Sequence, residues 1–165
     1  MSVMDAIERR LEVREFADEP VAAGIERAVV NAARLSPSSK NRQDWHFLLV
    51  DGDALDDLAA VSPTGGWVAD AAFAVIVCTG DYPSHEVDVG RAVTHMQFAA
   101  WEHGLGSCIY TGLDPGAGSD VFDIPDDYVV GAVLGVGSPA EPSEGTKDRR
   151  PFDEVVSHDR FGETM

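Results

Sequence analysis

The apolar run AFAVIVCT at 72–79 constrains the fold most. It is rich in β-branched residues and has no charged position, so it reads as a strand buried inside a sheet. Three more strand-like runs accompany it: HFLLV (46–50), ended by Asp51 and Gly52, then SCIYTG (107–112) and YVVGAVLGV (128–136). Helical spacing fills much of the remainder. Val3, Ile7 and Leu11 form one stripe over 3–11. Ile25, Val29, Ala32 and Ala33 form another over 21–35, with Pro20 suited to its start. Residues 53–61 read as a short helix, 86–103 as the longest one, capped by Gly104, and 117–124 as a brief one. SPSSKNRQDW (36–45) and SPTGGW (62–67) read as loops. Helices before and between strands indicate the α+β class or a three-layer variant of it.

The length of 165 residues suits one domain over 1–165, and the compositional change after Val136 marks 137–165 as an extended C-terminal arm. There is no apolar run long enough to cross a membrane, and the N-terminus lacks the pattern of a secretory signal, so a cytoplasmic location is the expectation. Cys78 and Cys108 form no CxxC pair and read as two buried, reduced thiols.

Charge narrows the partners. Twenty-nine acids against twelve bases give a formal net charge of -17. Such a surface repels nucleic acid and anionic membranes. It also suggests adaptation to high salt, where counterions screen the self-repulsion. Against that background, eight of the twelve bases fall in three short segments: Arg9, Arg10 and Arg14; Lys40 and Arg42; Lys147, Arg149 and Arg150. Clustered guanidinium groups suit a bound polyanion, because they form charge-assisted bidentate bonds to phosphate. Local pairing with Glu8, Glu12, Glu15 or Asp148 would explain them equally. The polar loop 36–45, rich in small residues and leading straight into a strand, is the sort of segment that holds ligands, or else a simple connection with Ser caps.

Other chemistries find little support. Gly104-Leu105-Gly106 and Gly135-Val136-Gly137 lack the third glycine of a dinucleotide fingerprint, and neither a P-loop nor a GxSxG elbow occurs. His95 and His103 show no metal-binding spacing. Trp45, Trp67 and Trp101 read as core anchors, with Trp67 also placed to line a pocket.

Three segments, in order, resemble the FMN-binding nitroreductase family: AIERRLEVREF (6–16), AARLSPSSKNRQDWHFLLV (32–50) and TKDRRPFDEVV (146–156). The Pro-Ser-Ser-x-Asn-x-Gln-x-Trp run before an apolar strand is the most specific. DVGRAVTHMQFAAWEHGLGSCIYTG (88–112) is similar to the family's central helix and the turn that follows it. The resemblance implies a three-layer fold with a central mixed or antiparallel sheet flanked by helices, in a homodimer with swapped tails. It implies FMN as cofactor, NAD(P)H as electron donor and a small electron-poor acceptor such as a nitroaromatic or quinone, in a ping-pong cycle. No catalytic side chain is then required.

By the same resemblance, Arg10 grips the phosphate, and Arg14 reaches the phosphate or the N1/O2 edge of the ring. Pro37, Ser38, Ser39 and Asn41, helped by Gln43, lie along the ribityl chain and ring. Leu105 and Gly106 form a turn near the ring, and the backbone around Gly112 faces N5. Lys147 and Arg149 close over the phosphate from the partner subunit or across the dimer. Four positions depart from the family pattern: Leu11, Glu12 (where Ser is preferred), Asp44 and Asp148. Two further functions fit the resemblance, a non-catalytic FMN-storage protein and an oxygen-dependent biosynthetic oxidase.

Overall fold

The computed structural model describes residues 2–163. At its centre lies strand β2 (Phe73–Gly80), with seven of eight residues buried. It pairs on one side with β1 (Trp45–Asp51) and on the other with β4 (Tyr128–Gly137), and β3 (Gly106–Tyr110) pairs beyond β4. All three ladders are antiparallel. The expected buried strand is therefore one of the two inner strands of the sheet, and its lack of a polar face follows from cover on both sides.

Alternation along β2 builds two cores. Phe73, Val75 and Val77 face one way, toward helices α2 (Ala23–Arg34) and α4 (His85–Glu102). Ala74, Ile76 and Cys78 face the other way, toward α3 (Ala54–Ala60), the 3-10 turn Gly66–Asp70 and the segment around α5 (Pro115–Phe122). The result is the expected α+β three-layer architecture with an antiparallel sheet. No helix among the described residues is long and apolar enough to cross a membrane.

Several boundaries differ from expectation for identifiable reasons. Helix α1 (Val3–Arg9) stops two residues before its apolar stripe ends. The Leu11 N–H goes instead to the Ser143 carbonyl at 3.0 Å. Val3 and Ile7 remain exposed, so that stripe meets no core in this chain. The end of the loop at 62–67 runs into the 3-10 turn Gly66–Asp70, in which Trp67 packs over Gly135, where a Cβ would lie 2.6 Å from the ring. Gly104 does end α4, with φ +76°.

The arm holds little core, as expected, and its short helix α6 (Phe152–Val155) contributes no buried residue. Residues 164–165 of the predicted arm lie outside the described residues. The beginning of the arm runs back along the N-terminal strap 9–17. Ala17 N–H donates to the Ser138 carbonyl at 2.8 Å, Ala140 N–H to Glu15 at 3.0 Å and Gly145 N–H to Arg9 at 3.0 Å. On its other side the strap bridges β3 in parallel, with Val13 N–H donating to the Ser107 carbonyl at 3.0 Å. The N-terminal segment is thus held between the sheet edge and the arm. Gly106 makes room for Val13 there, since a Cβ would come within 2.7 Å of that side chain.

Candidate functional site

The strap and the arm bring bases from opposite chain ends together. The Arg10 side chain is only 15% exposed. Its Nη2 donates to Glu12 Oε1 at 2.8 Å and to Gln97 Oε1 at 3.3 Å, and its Nη1 to the Leu11 carbonyl at 3.3 Å. Gln97, buried on α4, also donates through Nε2 to both Glu12 oxygens at 3.1 and 3.3 Å. The Ile109 N–H adds a fourth contact to Glu12, at 3.3 Å. Arg14 Nε donates to Cys108 Sγ at 3.3 Å.

Lys147 reaches back to the Ile7 carbonyl. Burial pushes its ammonium below the ordinary lysine value, and the charges of Arg10 and Arg149 push it further down, against the pull of Glu12. Arg14 is shifted upward, chiefly by its bond to Cys108 and less by Glu12. Three predicted cations, Arg10, Arg14 and Lys147, therefore influence one neighbourhood around Glu12, and Arg149 acts on Lys147. The resemblance allowed Lys147 and Arg149 to come from a partner; within one chain, Lys147 already lies under the charge of Arg10 and Arg149. A cavity of about 430 Å³ opens beside the cluster, lined by residues 11–15 and 141–143.

The serine-rich loop is a second, separate group. Its backbone is unusual: Lys40, Asn41 and Gln43 have φ of 53°, 54° and 58°. Three non-glycine residues in the left-handed region within four positions store strain, which persists only where surroundings enforce it. The enforcement is visible. Ser39 N–H donates to Asp88 Oδ2 at 2.8 Å, the Tyr82 hydroxyl donates to the same oxygen at 2.8 Å, and Asp88 is 2% exposed. Ser38 Oγ accepts from the Gln43 N–H at 3.0 Å, and Gln43 Nε2 donates to the Asn41 carbonyl at 3.3 Å. The Arg42 guanidinium lies 5.1 Å from the centre of the Tyr82 ring.

These two groups do not meet within one chain. Asp88 and Gln97 both belong to α4, nine residues apart. At 1.5 Å and about 100° per residue, they are separated by about 13 Å along the axis and project from roughly opposite faces. The helix body lies between the loop and the basic cluster.

The remaining predicted positions are scattered. Leu105 is 7% exposed and belongs to the core beneath α4, so its side chain is committed to packing. Gly106 serves the strap, as described. Gly112 lies past the end of β3 against Thr64, whose Oγ1 would be 2.4 Å from an added Cβ.

Sequence reasoning missed Gln97, Asp88 and Cys108 as members of these groups. A signal existed for two of them. Gln97 and Asp88 are polar residues set among the apolar positions of a helix that is buried on most sides. Nothing in the sequence marked Cys108, because its neighbour Arg14 is 94 residues away. Two buried hydroxyls, Ser36 Oγ and Ser107 Oγ, have no partner among the described residues. One precedes the strained loop and the other adjoins the basic cluster.

The nitroreductase family model matches residues 7–80 and 63–138. A relative from Methanothermobacter thermautotrophicus, provisionally named NADH dehydrogenase/NAD(P)H nitroreductase, is 31% identical over 159 residues, covering 90% of this chain and 82% of that one. A nitroreductase family protein from Clostridium difficile shares the fold, with a TM-score of 0.88 at 23% identity over 97% of this chain and 99% of that one. A protein from Desulfovibrio desulfuricans, provisionally named a nitroreductase and solved in complex with FMN, superposes with a TM-score of 0.84 at 26% identity, covering 98% of each chain. The chain belongs to the nitroreductase family.

Proposed function

We propose that the protein is an FMN-dependent oxidoreductase that takes reducing equivalents from NAD(P)H and delivers them to a small electron-poor acceptor such as a nitroaromatic or a quinone. The observation that carries this reading is the convergence of Arg10, Arg14, Lys147 and Arg149 from both chain ends in a molecule of net charge -17. Mutual repulsion among such groups is unfavourable unless an anion joins them. The donor set fits a phosphate, because guanidinium and ammonium groups supply charge-assisted bonds.

In this reading Arg10, Lys147 and Arg149 hold the phosphate, and Arg14 meets either the phosphate or the electron-rich edge of the ring. When bound, FMN would supply the redox chemistry, accepting a hydride from the nicotinamide and passing electrons to the acceptor after the donor leaves. The protein contributes position and positive charge.

The 36–43 loop cannot join the same phosphate from within one chain, given the body of α4 between them. A second copy supplies it, so that each site is shared across a homodimer. Other features favour such a pairing. β1 is an open edge strand bordered by a groove of about 760 Å³ lined by Trp45, Phe47, Leu49 and Val30. The arm leaves Phe152, Val155 and Phe161 exposed.

The test is spectroscopic. Protein purified in high salt is expected to be yellow, with absorbance near about 370 and 450 nm, and to bleach when NADH or NADPH is added without oxygen. A yellow protein that never bleaches would favour the storage role, and a colourless protein that cannot be reconstituted with FMN would overturn the cofactor assignment.

A further inference from the structure

We infer that Glu12 is a specificity-determining residue, an internal carboxylate that occupies Arg10 in place of a ligand phosphate and that a phosphorylated ligand must displace. The inference rests on the FMN reading above for its ligand class, but on this chain's own geometry for its mechanism. Arg10 is fixed: it is 15% exposed and bonded to Gln97 and the Leu11 carbonyl as well as to Glu12. Glu12 is 42% exposed and lines the 430 Å³ cavity beside the cluster. A buried cation with a half-exposed anion is an asymmetric pair. The carboxylate can rotate into the cavity and be hydrated there, and the guanidinium cannot follow.

Charge explains why the carboxylate sits where it does. Arg10, Lys147 and Arg149 would otherwise repel one another: the Lys147 ammonium is held below its ordinary value first by burial and then by the charges of Arg10 and Arg149. Glu12 offsets one of the cluster's positive charges, and Glu15 and Glu141 stand on the wall of the same cavity. A phosphate dianion would offset two, so it competes well, but it must first break the contacts from Arg10, Gln97 and Ile109 to Glu12. With Glu12 still nearby, its own charge then opposes the newcomer. The consequence is a narrowed preference for phosphorylated over unphosphorylated flavin.

The experiment compares wild type with Glu12→Gln, which removes the charge while keeping one oxygen for Arg10, the amide nitrogen taking the place of the oxygen that accepts from the Ile109 N–H. Fluorescence quenching of FMN and of riboflavin gives four dissociation constants, and thermal unfolding with and without inorganic phosphate reports anion binding independently of any flavin. The expected result is FMN binding at least about tenfold tighter in the variant, with riboflavin affinity unchanged within about twofold. The thermal shift produced by phosphate should also be larger in the variant. Unchanged or weaker FMN binding by a folded variant would overturn the inference, as would an equal gain for both flavins. If neither protein binds any flavin, the cofactor reading fails, and the phosphate shift alone decides: a larger shift in the variant sustains the role of Glu12, and equal shifts refute it.

Discussion

Asp88 shows how a single buried side chain can hold a strained loop in place. Its Oδ2 accepts from both Ser39 N–H and the Tyr82 hydroxyl, and Arg91 Nη1 stands 3.6 Å from Oδ1. Replacing it with Asn turns an acceptor-only group into one that also presents donors. We expect Asp88→Asn to cost about 1–3 kcal/mol, read by denaturant titration, and to loosen the 36–43 loop, read as faster amide exchange at Ser39. Unchanged exchange there would remove Asp88 from this role. Cys78 has a different signature. Burial pushes its thiol from near 9.0 up to about 11. The folded chain thus holds this proton more tightly than the unfolded chain does. Its contribution is complete below pH 9.0 and is lost as pH rises toward about 11. Cys78→Ala should make the alkaline fall in Tm shallower across that window, and parallel curves for both proteins would contradict this. Only part of the fall will go, because Tyr110 and Cys108 are also shifted upward, chiefly by burial.

At the scale of elements, the strap and the loop do most to position the site, and neither is a regular helix or strand. The strap lies close against β3 only because residue 106 has no side chain. Gly106→Ala would drive a methyl to 2.7 Å from Val13, itself 8% exposed. We expect a loss of about 1–3 kcal/mol, measured by denaturation, together with weaker retention of FMN as Arg10 is displaced. Retention equal to wild type would mean that the strap's register does not control the site. The regular elements were legible because hydrophobic period reports them: the four strands and the helices over 23–34, 54–60 and 85–102 appear within a few residues of expectation. The strap was not, since residues 10–16 carry no periodic pattern and pair with partners more than 90 positions away. The left-handed turns at Lys40 and Gln43 were also hidden, because neither residue type favours that conformation and the bonds from Ser39 to Asp88 and from Gln43 to Ser38 hold it.

At the scale of the whole molecule, two properties follow from charge and from incomplete cover. A net charge of -17 on 165 residues produces self-repulsion that salt relieves. Tm should rise by roughly 5 °C or more between dilute buffer and molar KCl; a flat or falling trend would sink the proposed adaptation to salt. The exposed apolar residues of α1 and the arm, with the open edge of β1, call for a partner surface. Light scattering should give twice the monomer mass, and a monomer at micromolar concentration would exclude the shared site. The sequence by itself determined the layers of this protein, because burial on one or two faces is written directly in the spacing of its apolar residues. It also pointed to the bases that gather, since their scarcity in an acidic chain makes each one conspicuous. Only the tertiary structure decided which of them share a neighbourhood, that Glu12 stands among them, and that α4 divides the loop from the cluster. Those outcomes depend on where distant segments cross, and local spacing carries no record of that.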